Sequence, residues 1–119
     1  MSDATKQWVD GYRRAWESND PGDIRAIFTE DAVYRDGPSA PGWVGHQAIV
    51  DGWLNQRDEP GDAQFEWHLL VTDGRVSVVR CVITYPGGDK ANVYDNLWVI
   101  RLAPDGRATE FTDWFIARD

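Results

Sequence analysis

One cysteine, Cys81, stands in the 119-residue chain, which excludes an internal disulfide and any multi-cysteine metal site. Histidine is almost as scarce. His46 and His68 share no spacing with each other or with a carboxylate that would hold a metal, so none is expected. No glycine-rich phosphate loop and no dinucleotide fingerprint is present, and no cofactor is expected. Basic residues are in deficit, 12 against 20 acidic, for a net charge of -8. Nucleic-acid binding needs a basic patch, so a nucleic-acid partner is not expected. No apolar run approaches the ~20 residues that a membrane span needs, and the first residues lack the charged and apolar regions of a secretory leader. The expectation is a cytoplasmic protein without a membrane partner, folded as one domain over residues 1–119.

What the chain does have is aromatic mass: seven Trp, four Tyr and four Phe. Trp8, Tyr12, Ala15 and Trp16 recur at helical spacing, which predicts an amphipathic helix over 4–18. Asn19-Asp20-Pro21 ends it and starts a second, short helix, with Asp20 as N-cap and Pro21 at the first helical position. Ile24, Ile27 and Phe28 are read as the apolar face of that second helix. Ala32 to Arg35 alternates into a strand. Residues 37–45 hold three Gly and two Pro, which is loop chemistry. A third helix follows near 46–56, with Ile49, Val50, Trp53 and Leu54 on one side.

The second half alternates instead. Residues 63–72, 75–85, 91–102 and 108–117 read as four long strands, separated by turns at Asp73-Gly74, Pro86-Gly87-Gly88 and Pro104-Asp105-Gly106. A further charged turn is expected at 58–62. Short connections of this kind imply an antiparallel meander. Helices followed by strands give an α+β fold: three N-terminal helices packed on a strongly curved antiparallel sheet. In the last strand Phe111, Asp113 and Phe115 share one face, while Thr112, Trp114 and Ile116 share the other. Both faces therefore carry apolar side chains. The outer one is expected to be covered by a second copy of the chain, a homodimer through that face.

Asp36 closes the first strand just before a Gly-Pro turn, and Tyr34 shares its face. Tyr94, Asn96 and Trp98 alternate on another strand, where Asn96 would be a buried amide in need of partners. Arg80, in an apolar strand, calls for a carboxylate, and Glu110 is the candidate on the outer face. His46 begins a helix and is read as exposed or capping. Cys81, in VSVVRCVITY, is read as a small buried hydrophobe rather than a nucleophile.

The ordered set of Tyr12, AWESND, IFTEDAVYRDGP, GWVGHQAI, YDNLWVIRL and DGRATEFTDWF resembles the nuclear transport factor 2-like superfamily, in its SnoaL-like (polyketide-cyclase-like) branch. The resemblance covers nearly the whole chain. It implies a cone-shaped pocket between helices and concave sheet, and frequent homodimers. Partial resemblance to ketosteroid isomerases places Tyr12 as oxyanion donor and Asp36 as the proton-moving base, with Trp98 where that family has its second donor. Partial resemblance to limonene epoxide hydrolases places Tyr34 and Asp113 around a water. Asp36 then stands where that family has an asparagine, and Val79 and Cys81 fall nearest its partner Arg and Asp.

Both resemblances imply that Asp36 and Asp113 face one aromatic cavity. Desolvation would raise both carboxyls, and repulsion would raise one further, leaving one acid and one base near neutral pH. The implied function is a cofactor-independent enzyme, of proton-transfer isomerase, cyclase or epoxide-hydrolase type, acting on a small apolar molecule. Asp36, Asp113, Tyr12 and Tyr34 carry the chemistry; Trp16, Trp53, Tyr94, Asn96, Trp98, Phe111 and Phe115 line the cavity. The alternative is a non-catalytic small-molecule-binding or accessory protein with the same cavity.

Overall fold

The chain is described by a computed structural model that covers residues 2–56, 63–85 and 92–117. The turns expected at 58–62 and 86–88 lie outside the described residues. Helix α1 spans Ser2–Ser18 and α2 Pro21–Ala26; strands β1 (Phe28–Asp36) and β2 (Trp43–Val44) follow, then α3 (His46–Asn55). The remaining strands are β3 (Gln64–Asp73), β4 (Val76–Tyr85), β5 (Asn92–Leu102) and β6 (Ala108–Ala117). All four long strands begin and end within a residue of the boundaries that turn chemistry set. Among the described residues no helix is long and apolar enough to cross a membrane.

The α1–α2 corner follows its local chemistry. Asn19 adopts φ 52°, the left-handed conformation that stops a helix, and its N–H donates to Ala15 O at 2.8 Å. Asp20 Oδ1 then accepts from Gly22 N at 2.7 Å, and Pro21 takes the first helical position. Ile27 and Phe28 do not belong to α2. The helix stops at Ala26, because Phe28 is drawn into β1 opposite Ala108 of β6. A helical apolar face and the buried start of a strand look alike over so few residues.

The six strands form one sheet in the order β2-β1-β6-β5-β4-β3. β3 to β6 are the expected antiparallel meander. β1, however, runs parallel to β6, which local turn signals cannot announce. The helices are also not all ahead of the sheet, since α3 enters after β1 and β2. β2 itself arises within the 37–45 loop, where Val44 and Trp43 pair with Val33 and Tyr34.

Along β1 the register slips: five steps from Phe28 to Val33 match two steps from Ala108 to Glu110 on β6. Beyond this bulge the strands stay in step, Tyr34 opposite Phe111 and Asp36 opposite Asp113. Tyr34 keeps the inward parity of the buried Phe28 and Ala32, so the irregularity changes which β6 residues face it rather than its own direction. The core lies between α1, α3 and the concave face, with Trp8, Val9, Tyr12, Ile49, Trp53, Val79, Trp98, Ile100 and Phe111 all buried. Rings interlock in it: Trp8 lies 5.3 Å from Phe111 and Tyr12 5.0 Å from Trp98, centroid to centroid. Burying each such side chain contributes roughly 1.5–3 kcal/mol. Two hydrogen bonds between polar groups cross the core. Trp8 Nε1 donates to Ile27 O at 2.8 Å, and Thr5 and Ser77 hydroxyls meet at 2.6 Å.

Trp43 lies flat on α3 at Gly52, where any Cβ would overlap its indole, and stacks on Tyr34 at 4.9 Å. Gly52→Ala is expected to cost about 1–3 kcal/mol in urea unfolding, although alanine is the better helix former. Unchanged stability would mean that Trp43 is free to move aside.

One expectation on the outer face is corrected. Arg80 pairs with Asp95 at 3.5 Å rather than with Glu110, its strand neighbours being Leu97 and His68. Glu110 is engaged by Arg35 at 3.2 Å and Arg101 at 3.5 Å, which flank it on β1 and β5.

Candidate functional site

The open end of the helix–sheet sandwich holds a cavity with two lobes. The inner lobe, about 130 Å³, is lined by Tyr12 and Trp16 of α1, Tyr34 and Asp36 of β1, Trp43, Trp53, Gln56, Ile83, Tyr85 and Asp113. The outer lobe, about 410 Å³, is bounded by Asp36, Ile83, Tyr85, Tyr94, Asn96, Asp113 and Phe115, and that volume suits a small organic ligand. Asp36, Asp113, Ile83 and Tyr85 border both lobes. The two carboxylates thus stand at the junction.

Their proximity is a matter of register. Asp36 and Asp113 are direct partners on neighbouring parallel strands, which sets their Cα atoms about 4.8 Å apart with side chains on one face. Their surroundings differ. Asp113 is 9% exposed, and its Oδ1 accepts from Asn96 Nδ2 at 2.8 Å. Burial pushes its pKa up to about 7, the Asn96 hydrogen bond opposes the rise, and the negative charge of Asp36 adds to it. Trp98 Nε1 is near enough to favour the carboxylate slightly, yet makes no hydrogen bond of good geometry. Asp36 ends its strand exposed to solvent. Partial burial raises its pKa above the ordinary carboxylate value, but water on one side favours its charged form. One proton-bearing and one ionised carboxyl side by side can give and take a proton at the same ligand.

The two phenols stand behind this pair. Tyr12 and Tyr34 are each 8% exposed, and their side chains interact. Burial raises both pKa values, with the charge of Asp113 adding to each, so both remain neutral donors. Burial likewise pushes the Cys81 thiol up to about 12, which leaves it no thiolate to attack with.

Of the residues expected in the lining, Trp16, Trp53, Tyr94, Asn96 and Phe115 border a lobe. Trp98 and Phe111 do not. Both are fully buried beneath Tyr12, whose ring lies 5.0 and 5.4 Å from theirs. Four lining residues were missed. Ile83 and Tyr85 could have been found, since they continue the inward parity of Val79 and Cys81 along β4. Trp43 and Gln56 come from a loop strand and a helix end, where periodicity is silent. His46 serves the fold: a ring nitrogen meets Phe28 O at 2.8 Å and ties the start of α3 to β1.

Comparison with known proteins agrees on the architecture. Residues 9–111 match the SnoaL-like domain. No curated protein matches the chain. Among solved structures, the epoxide hydrolase/cyclase-like enzyme SalBIII, which has a role in pyran ring formation in the polyether salinomycin, is similar with TM-score 0.73 and 20% identity, over 98% of this chain and 95% of that one. A ketosteroid isomerase-like protein from Erwinia carotovora atroseptica follows at 0.68 and 19%, over 95% and 94%. An LEH-like epoxide hydrolase of M. tuberculosis gives 0.67 and 19%, over 92% and 80%. At such identities the likeness concerns the fold alone.

Proposed function

Because the chain belongs to the SnoaL-like domain family, we propose that it is a cofactor-independent acid–base enzyme for a small apolar molecule, held in a cone-shaped pocket between helices and sheet. The observation that carries this reading is the register pairing of Asp36 with Asp113 at the junction of two lobes. Asp36 is the base and Asp113 the acid. The favoured chemistry is opening of an epoxide, by water or by a hydroxyl of the same molecule. Asp113 gives its proton to the epoxide oxygen as the C–O bond breaks. Asp36 takes the proton of the attacking oxygen as the new C–O bond forms. The pair ends with its protons exchanged, and solvent at the exposed Asp36 restores it. Tyr34 and Tyr12 orient the reacting oxygens. Steroid-type isomerisation is less well supported, because the position of that family's second oxyanion donor is taken by Trp98, buried under Tyr12.

The reacting carbons lie where the lobes meet. The substrate would accordingly react at an internal position, with a short arm among Trp16, Trp43 and Trp53 and a longer one passing Tyr94 and Phe115. The test is to incubate the protein from pH 4 to 9 with apolar internal epoxides, some bearing a hydroxyl, and with enones, and to identify products by mass spectrometry. Diols or cyclic ethers are expected, with a bell-shaped pH profile. Its acid limb reports ionisation of Asp36, and its basic limb lies near 7, where Asp113 loses its proton. Binding of these compounds without any conversion would replace the enzyme reading by that of a ligand-binding or accessory protein.

The outer sheet face is proposed as the seat of a homodimer. Trp114 and Ile116 stay 44% and 69% exposed there, beside the half-buried Val82, Leu97 and Val99. Trp114→Glu is expected to convert the dimer to monomer in analytical ultracentrifugation; a native chain that sediments as monomer would end this proposal.

A further inference from the structure

Asn96 lies on β5 opposite Phe115, and Asp113 on β6 lies opposite Trp98. The two are diagonal neighbours on the concave face, within reach across one strand pair. Asn96 is 4% exposed, and its Nδ2 donates to Asp113 Oδ1 at 2.8 Å. Its own Oδ1 is buried with no hydrogen-bond partner, as is Trp98 Nε1. An unpaired buried polar atom is costly, and an aliphatic side chain of the same shape would avoid that cost. An amide at this position makes sense through the one bond it does form.

We propose that Asn96 is the positioning residue of the carboxyl pair: it holds Asp113 Oδ1 as an acceptor, and so assigns the transferable proton to Oδ2. An amide N–H aimed at Oδ1 leaves no room for a second hydrogen between the two atoms. The proton of the neutral acid therefore resides on the other oxygen, and the carboxyl plane is fixed by a bond from the neighbouring strand. Asn96 also borders the outer lobe, so the bond is made at the wall of the cavity. The inference rests on the acid–base reading of Asp36 and Asp113.

Several groups bear on Asp113: Asp36 and Tyr34 from β1, Tyr12 from α1, Cys81 from β4, and Trp98 beside Asn96 on β5. Arg13 of α1 acts on Cys81 and is committed to Phe65, lying 4.2 Å over its ring. Asp36 opposes ionisation of Asp113 by charge, and the buried phenols and thiol are neutral. Asn96 alone in this set gives the carboxylate a hydrogen bond of good geometry.

The experiment uses Asn96→Leu, which keeps the shape and removes the amide, with Asn96→Ser as a smaller variant that keeps a donor and serves where leucine disturbs the fold. The Asp113 midpoint is read by carboxyl-detected NMR titration, and kcat and KM with an epoxide that the native protein turns over. In Asn96→Leu the midpoint is expected to rise by about one pH unit or more, since a hydrogen bond to a charged group is lost. The basic limb of the pH profile should rise with it, and kcat should fall tenfold or more while KM changes less than about twofold. Asn96→Ser should fall between Asn96→Leu and the native protein in both readouts. A midpoint that stays put in both variants overturns the positioning role, and so does a shifted midpoint with unchanged kcat. Turnover that survives Asp36→Asn overturns the acid–base reading instead, and the Asp113 midpoint is measured independently of it.

Discussion

Asp36→Asn is expected to lower turnover by about 100- to 10,000-fold, the usual contribution of a positioned general base. Asparagine keeps the size and hydrogen-bonding shape of the side chain but cannot take a proton. Asp36 is exposed at the end of β1, and the described hydrogen bonds and ion pairs do not involve it. The substitution should therefore not destabilise the fold, and at neutral pH relief of its repulsion with Asp113 should stabilise it slightly. It also removes the negative charge that helps to raise Asp113, so the Asp113 midpoint should fall. Steady-state kinetics, urea unfolding and NMR titration on one preparation separate these effects. Retained ligand binding with lost turnover identifies a base. Unchanged turnover of a confirmed substrate would show that Asp36 is only the residue that opens the Gly-Pro turn.

The distinction matters because turn chemistry and active-site chemistry use the same letters here. Asp36-Gly37-Pro38 reads as loop punctuation, and Gly37 does adopt φ 105°. What supports a role for Asp36 beyond the turn is its partner on β6, found only when β1 runs parallel to β6. Two further observations have the same origin. Trp98 and Phe111 carry the inward parity of lining residues, but Tyr12 covers them, and coverage depends on how α1 lies across the sheet. Trp43 looks like a loop residue, yet it reaches the cavity because Gly52 lets the indole lie against α3. The boundaries of β3 to β6, by contrast, were legible to within a residue, because Asp73-Gly74 and Pro104-Asp105-Gly106 act locally, whereas β1, read from alternation as 32–35, spans Phe28–Asp36. Asn96 was legible as a buried amide in need of partners. That its partner is Asp113 depends on the β5–β6 register, which no local signal encodes.

The second large effect concerns stability rather than rate. Asp113 binds its proton more tightly in the folded chain, with a pKa of about 7, than it would at its ordinary value of 3.8. Between those values the folded protein holds a proton that the unfolded chain releases. Stability must therefore be highest below about pH 4 as far as this group is concerned, and must fall as pH rises, until Asp113 is ionised in both states above about 7. At about 1.4 kcal/mol per unit, a shift of this size is worth on the order of 4 kcal/mol. Asp36, also raised, adds in the same direction. The depressed pKa of exposed Asp105 has the opposite sign, and its influence lies below the ordinary carboxylate value. Asp113→Asn removes the titration while keeping an Oδ1 that accepts from Asn96. This variant is expected to unfold at higher urea concentration than the native protein at pH 8, by about 2–4 kcal/mol, while being inactive. At pH 4.5 the two should nearly coincide. A native stability curve that is flat from pH 5 to 8 would mean that water reaches Asp113, and the acid of the proposed pair would be lost with it. The expected curve instead means that the fold gives up stability at neutral pH to keep Asp113 dry beside Asp36, a cost with no structural return that the proposed proton transfer accounts for.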